Sequence, residues 1–323
     1  MAKIFITRPI PEAGIRLLKD RGYKVVVNEA AEDRPATKEE IVAGVKGADA
    51  LLSILTEKIT DEIMDVGLPS LKIIANYAVG FDNVDVEAAK KRNIMVTNTP
   101  GVLTNTVAEH TFALMLSIAR RISEADRFSR AGKYKAWGPQ LLLGTDLSGK
   151  TLGVVGLGRI GSRVAYHAVK GFDMKVVYTD PKSNSDFEKE FGAKYFEKLE
   201  DLLPQCDFVS IHVPLLDSTH HLINEEKLNL MKSSAYLINT SRGPIVHEKA
   251  LARALREKWL RGAAIDVFEF EPEIEPELKD LDNVIITPHI ASATEETRNA
   301  MSEMAAKNII EAIEGRTPPN LVK

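Results

Sequence analysis

Cysteine is almost absent from this 323-residue chain, which carries only Cys206. One thiol excludes a disulfide framework within the chain and fits a reducing compartment; in its run Cys-Asp-Phe-Val it reads as a small buried hydrophobe. An excess of either charge is also missing. Lys and Arg number 42 against 46 Asp and Glu, a net charge of −4, which leaves no electrostatic footprint for nucleic acid or an anionic membrane. No uninterrupted apolar stretch reaches the roughly 18 residues of a membrane span, and no signal-peptide core follows Met1, so the expectation is a soluble cytoplasmic protein. Internal repeats and low-complexity tracts are lacking. None of the seven histidines shows a His-x-x-x-His spacing or a cysteine partner, so no metal site is expected. A Gly-x-Ser-x-Gly elbow and a Walker A lysine are missing too, which argues against serine hydrolysis and nucleotide hydrolysis.

What is present is a regular alternation. Apolar residues make up 44% of the chain, and short apolar runs alternate with helical periodicity from end to end. Strands are predicted at 3–7, 24–27, 50–53, 72–75 and 95–97, with helices at 12–21, 38–45, 61–66 and 83–91. The strands show little polar alternation, as expected for parallel sheet covered on both faces. A long, mostly apolar helix is predicted over 104–128, then irregular chain over 132–149. A second series of strands follows at 151–155, 176–179, 208–212, 235–239, 262–267 and 284–286. Residues 269–282 read as a loop with one turn, and 293–315 as a final helix long enough to return to the first unit. The expected fold is α/β, with two Rossmann-like doubly wound parallel-sheet domains and an active-site cleft between them. One domain combines residues 1–100 with 290–323; the other spans 101–289.

The sharpest motif is Val154-Val155-Gly156-Leu157-Gly158-Arg159-Ile160-Gly161, followed by Asp180. It reads as a strand, a glycine turn and a helix. Gly156 permits the tight turn, Gly158 lets the backbone approach a pyrophosphate, and Gly161 lets helix and strand pack closely. The helix N-terminus offers free N–H groups and the positive end of its dipole. Asp180, at the end of the second strand, can accept from a ribose diol and would repel a 2′-phosphate. The motif therefore predicts a dinucleotide, NAD before NADP.

A nicotinamide cofactor requires a proton donor and a grip on the substrate. Arg242 lies just past a strand, in a turn fixed by Gly243 and Pro244, where its fork could hold a carboxylate. His289 also lies just past a strand and is suited to proton transfer. A carboxylate beside it would orient the ring, and Glu269, Glu271 and Glu273 all lie on a nearby loop; spacing does not choose among them. Asp266, inside a strand-like run, needs a partner and could bind a nicotinamide amide or a backbone group. Gly80 permits close backbone approach, with the N–H groups of Val79 and Gly80 available to an anion.

These blocks resemble the D-isomer-specific 2-hydroxyacid dehydrogenases, and within them the glyoxylate/hydroxypyruvate reductase branch. The resemblance spans nearly the whole chain. It rests on Asn76-Tyr77-Ala78-Val79-Gly80-Phe81-Asp82-Asn83-Val84-Asp85, Asn98-Thr99-Pro100-Gly101-Val102-Leu103-Thr104, the glycine motif with its preceding strand, His212-Val213-Pro214-Leu215, Asn239-Thr240-Ser241-Arg242-Gly243, Gly262-Ala263-Ala264-Ile265-Asp266-Val267-Phe268 and Thr287-Pro288-His289. The resemblance places the catalytic set on Arg242, Glu271 and His289, which selects one of the three loop glutamates. It implies cofactor contacts at Thr104, Gly156, Gly158, Arg159, Ile160, Gly161, Asp180, His212, Val213, Pro214, Thr219, Thr240, Asp266 and His289. Substrate contacts are implied at Leu52, Ser53, Asn76, Val79, Gly80, Arg242 and His289, with Trp137 contributed from the neighbouring subunit of a homodimer joined through the cofactor domain. The first domain would then bind substrate in a flavodoxin-like fold, and the second NAD, with NADP possible.

The expected activity is reduction of glyoxylate, hydroxypyruvate or a similar small 2-oxoacid to the D-2-hydroxyacid, with His289 as general acid. Alternatives are a dehydrogenase for D-lactate, D-3-phosphoglycerate or another D-2-hydroxyacid, or an NAD-sensing binding protein like the corepressors that resemble this family. One departure from the family pattern is His247, where Asp or Asn is usual; it reads as a helix cap or surface substitution.

Overall fold

The computed structural model describes residues 1–322. Contacts divide the chain into two compact units, Met1–Leu103 with Ala293–Lys323, and Thr104–Ser292. Each boundary falls a few residues after the position read from the sequence.

The first unit opens with strands and helices in strict alternation: β1 (Lys3–Ile6), α1 (Glu12–Asp20), β2 (Lys24–Val27), α2 (Lys38–Val45), β3 (Ala50–Ser53), α3 (Asp61–Gly67), β4 (Ile73–Asn76), α4 (Val86–Lys91) and β5 (Met95–Thr97). The strands form one parallel sheet in the order β2-β1-β3-β4-β5, the flavodoxin-like doubly wound arrangement. Every residue of β3 and β4 is buried, which explains their lack of polar alternation. Helix α4 starts later than the expected residue 83. Asp85 caps it, its side chain accepting from Ala88 N at 2.8 Å, and this leaves Asn83 in the preceding loop. The final helix, Glu295–Ile313, packs on α1. The fit leaves no room for a side chain on Gly14, where a Cβ would lie 2.2 Å from the Ser302 carbonyl oxygen.

The second unit contains α5 (Thr104–Ala119), α6 (Ile122–Arg130), β6 (Thr151–Val155), α7 (Arg159–Phe172), β7 (Lys175–Thr179), α8 (Ser185–Phe191), β8 (Lys194–Tyr195), α9 (Leu199–Leu202), β9 (Phe208–Ile211), α10 (Glu225–Leu230), β10 (Tyr236–Asn239), α11 (Glu248–Arg256), β11 (Gly262–Ile265), α12 (Pro276–Lys279) and β12 (Val284–Ile286). The last helix of the chain, Glu295–Ile313 in the first unit, is α13. Seven parallel strands run β12-β11-β10-β9-β6-β7-β8. The chain leaves β6 in one direction and returns to β9 on its other side, so the turn after β6 lies at the point where strand order reverses. Ligands bind such sheets at the carboxyl ends of the strands flanking that point.

The single helix expected over 104–128 is two. Arg121 adopts a left-handed conformation, φ 56°, between α5 and α6. The carbonyl of Ala119 turns away to accept from Thr145 N at 2.8 Å, while Arg121 grips Glu124 through two hydrogen bonds. No Pro or Gly marks this break, because a residue 26 positions downstream causes it. No helix among the described residues is long and apolar enough to cross a membrane. Cys206 is buried, and burial pushes its thiol up to about 12.

Candidate active site

The turn between β6 and α7 is shaped by what its glycines lack. Gly156 has φ +95°, and a Cβ there would approach the His212 backbone at 2.9 Å. A Cβ on Gly161 would lie 2.0 Å from the Gly156 carbonyl oxygen. On Gly158 it would meet no atom within 4 Å. The first and third glycines are therefore required by the fold, whereas the second faces open space, the cradle a phosphate needs. Arg159 and Ile160 form the first turn of α7 beyond Gly158, its N-cap. Asp180, just past β7, accepts from Leu157 N at 2.7 Å through one carboxylate oxygen. That bond fixes an acid beside the glycine turn, suited to a ribose diol. These residues fit a dinucleotide in shape and donor set.

The loop after β9 carries His212, Val213 and Pro214. His212 N donates to Val155 O at 2.7 Å, its ring Nε2 lies 2.8 Å from Ser210 Oγ, and burial pushes the imidazole down to about 3. Thr219 closes the following turn, donating to Pro214 O at 2.6 Å and accepting from Leu216 N at 2.8 Å. Thr240 pairs its hydroxyl with Thr111 at 3.0 Å, and Thr104 opens α5.

The carboxyl ends of β10, β11 and β12 hold the ionisable set. Arg242 sits where β10 passes into a short turn over Gly243–Ile245. Asn239 Nδ2 donates to Arg242 O at 2.9 Å. A Cβ on Gly243 would lie 1.8 Å from the carbonyl carbon of Phe268, so only glycine lets this turn lie against the chain that follows β11. His289 adopts the left-handed region, φ 54°, a conformation uncommon for a residue with a side chain and concentrated at functional sites. Its Nδ1 lies 2.9 Å from Glu271 Oε2, with side chains 24% and 29% exposed. The other Glu271 oxygen accepts from Phe268 N at 3.0 Å. Glu269 turns elsewhere: it takes His221 Nε2 at 2.7 Å and Glu248 N at 3.1 Å. Of the loop acids, only Glu271 reaches the His289 ring among the described hydrogen bonds.

Asp266 explains how His289 is held. Its carboxylate is fully buried and accepts from Thr287 Oγ1 at 2.6 Å, Ile290 N at 2.9 Å and Ala291 N at 2.7 Å, while its own carbonyl accepts from His289 N at 2.8 Å. Burial pushes this carboxyl up, but hydrogen bonds from His110, Thr287, Ile290 and Ala291 outweigh it and hold it below the usual aspartate range. The backbone partners expected for Asp266 are the N–H groups of Ile290 and Ala291. His110 was not assigned from sequence. It lies on α5 with Nε2 3.5 Å from Asp266 and 3.4 Å from Thr287 Oγ1. The signal for it was its spacing, three residues after Val107 and four before Leu114, both buried, which puts it on the inward stripe of the helix.

In the first unit, Val79 and Gly80 follow β4. The carbonyls of Ala78, Val79 and Gly80 are all engaged, by Thr99 N at 2.8 Å, Asn98 Nδ2 at 2.7 Å and Asn76 Nδ2 at 2.9 Å. No acceptor among the described residues takes the N–H of Val79 or Gly80. Asn76 is buried; its amide also meets Asn83, and its Oδ1 accepts from Ser53 Oγ at 3.0 Å. Leu52 and Ser53, expected at the substrate, have no exposed surface, because they close the buried end of β3. Trp137 is 80% exposed in the irregular segment after α6. His247 does occupy the N-cap of α11, but without a side-chain cap bond; its ring lies against His221 instead, centroids 4.6 Å apart and tilted by 52°.

Comparison with known proteins places this geometry. Residues 112–291 match the family described as D-isomer specific 2-hydroxyacid dehydrogenase, NAD binding domain. The chain is 50% identical to a glyoxylate reductase of Korarchaeum cryptofilum, over 99% of this chain and 95% of that protein. It is 49% identical to a glyoxylate reductase of Pyrococcus furiosus, with the same coverage. Among solved structures, a protein of Thermus thermophilus superposes with a TM-score of 0.93 at 43% identity, covering 99% of this chain and 100% of that one. An NADPH-dependent glyoxylate/hydroxypyruvate reductase of Sinorhizobium meliloti, solved with NADP and malonate, gives 0.85 at 31% identity, covering 99% and 96%.

Proposed function

Because the chain belongs to the D-isomer specific 2-hydroxyacid dehydrogenase family, we propose that it reduces glyoxylate to glycolate, and hydroxypyruvate and similar small 2-oxoacids to D-2-hydroxyacids, with NAD(P)H. The observation that carries this reading is the His289–Glu271 pair at 2.9 Å, in the same unit as the glycine turn. A reduced dinucleotide held by the glycine turn and Asp180 would supply the hydride taken up at C2 of the substrate. Protonated His289 gives its Nε2 proton to the ketone oxygen. Glu271, on Nδ1, fixes the ring and stabilises the imidazolium. The family resemblance gives the grip on the carboxylate to Arg242 and to the Val79 and Gly80 N–H groups; aligning a substrate before chemistry contributes several kcal/mol. Asp266, Thr287 and His110 keep His289 in place.

Asp180 favours NAD over NADP, since a 2′-phosphate would bring negative charge against its carboxylate. The segment from Ile122 to Leu143 carries exposed Ile122, Tyr134, Trp137, Leu141 and Leu143. We assign this apolar surface to a second copy of the chain, with Trp137 reaching the partner's substrate. The single buried thiol, Cys206, fits a reducing compartment, and we assign the protein to the cytoplasm. The test is NADH and NADPH oxidation against a panel of 2-oxoacids, with chiral analysis of the product. Turnover of glyoxylate and hydroxypyruvate, with D-glycerate formed from the latter, is expected; no turnover with any 2-oxoacid would overturn the reading.

A further inference from the structure

The three carbonyls behind the Val79–Gly80 turn are tied by the neighbouring pair Asn98 and Thr99 and by Asn76, and this has a geometric consequence. A trans peptide is planar, with C=O and N–H pointing in opposite directions. Fixing the carbonyl of one residue therefore fixes the N–H of the next. The Val79–Gly80 bond is not among the cis peptides of this chain. Asn98 Nδ2, donating to Val79 O at 2.7 Å, consequently sets the direction of the Gly80 N–H. Thr99 N, donating to Ala78 O, does the same for the Val79 N–H, but through the backbone, where truncating the side chain does not remove it. On the far side, Asn76 holds Gly80 O.

Asn98 is itself held. Its carbonyl accepts from Asn308 Nδ2 on α13 at 3.2 Å, and its N–H donates to Asn320 O at 3.3 Å. Asn308 is buried, and its Oδ1 accepts from Asn320 Nδ2 at 3.1 Å. The result is a continuous path from the C-terminal segment through α13 to the peptide plane that presents Gly80. A neutral amide donor suits this place. It neutralises no substrate charge and introduces none, so it orients the turn without competing for the anion.

We infer that Asn98 is a positioning residue for the substrate carboxylate, acting through the Val79–Gly80 peptide plane. This rests on the reading above that the Gly80 N–H meets that carboxylate. The test uses the full-length protein and the Asn98→Ala and Asn98→Ser variants, with glyoxylate kinetics, NADH titration, thermal melting, and binding of oxamate, a non-reducible 2-oxoacid analogue, to the NADH complex. Losing one aligned donor is expected to raise KM for glyoxylate and the oxamate Kd together, by about tenfold. The rate at saturating glyoxylate should stay within about threefold, and NADH affinity should not change. A purely structural role would instead lower the melting temperature and weaken NADH and oxamate alike. Unchanged oxamate affinity in a folded variant would overturn the inference, as would parallel loss of NADH binding. If Asn98→Ala does not fold, the smaller change to Ser carries the test. Failure of the unsubstituted protein to reduce any 2-oxoacid would sink the proposed activity, and the oxamate arm would still read Asn98 by itself.

Discussion

Two strand-to-helix turns, one in each unit, are suited to an anion by different means. The turn after β6 works by subtraction: Gly156 and Gly161 carry no side chain because backbone already occupies that space, and Gly158 leaves a free approach. The turn after β4 works by attachment. Ala78 and Val79 are ordinary residues, and the direction of the peptide planes is set by Thr99, Asn98 and Asn76 pulling on three successive carbonyls. A glycine turn encodes its shape within a few residues. A tethered turn borrows its shape from distant parts of the chain. The first suits a large, chemically constant group such as a pyrophosphate; the second suits a small anion met by a few aimed donors.

In the proposed reaction the two turns hold and the His289–Glu271 pair reacts, so the largest effect should come from the pair. His289→Asn is expected to lower kcat by about 10²–10⁴-fold while NADH affinity, measured by fluorescence titration, stays as it was. Wild-type turnover in this variant would remove His289 from the reaction. Next comes the packing glycine. Gly161→Ala places a Cβ 2.0 Å from the Gly156 carbonyl oxygen, and such overpacking should cost about 1–3 kcal/mol of stability, seen as a lower denaturant midpoint. A variant as stable as the parent would show that close helix–strand contact is not required there.

Gly158→Ala sharpens the same comparison because its Cβ meets nothing within 4 Å. Stability should change by about 1 kcal/mol or less, whereas NADH should bind about tenfold more weakly. Equal losses of both would erase the distinction between a glycine the fold needs and one the ligand needs. The last effect concerns acid. The His212 imidazole, beside the glycine turn, is pushed down to about 3 from 6.5 by burial. The folded state thus keeps it neutral while the unfolded chain takes up a proton as pH falls through 6.5, so this site makes stability fall with pH. The amides behind the other turn do not titrate. His212→Asn should therefore reduce the drop in melting temperature between about pH 7 and about pH 5; an unaltered drop would show that His212 does not contribute.

Much of this molecule was legible in the linear chain. Both sheets announce themselves as short apolar runs between helical periods, and the glycine motif with Asp180 is a local pattern with one physical interpretation. Arg242 and His289 were visible as polar residues directly after strands. Other features were not. The break between α5 and α6 has no Gly or Pro to signal it, since the Thr145 N–H that captures the Ala119 carbonyl lies far along the chain. Asn83 looked like the start of a helix, yet its amide meets Ile54, Glu57 and Asn76. Spacing left three loop glutamates equivalent, and family resemblance rather than periodicity selected Glu271.

By itself, then, the sequence determined the alternation of strands and helices in the first unit and the turn built on glycine, because periodicity and the absence of a Cβ act within a few residues; the two-residue strand β8 (Lys194–Tyr195) is too short to show a period. Only the tertiary structure decided that Asp266 would spend its carboxylate on the backbone after His289, that His110 would join it, and that Asn98 would aim a peptide plane 19 residues upstream. Those are hydrogen bonds between segments that the chain keeps apart. Their partners have no fixed spacing, and a buried polar group finds its acceptor only when packing brings the two together.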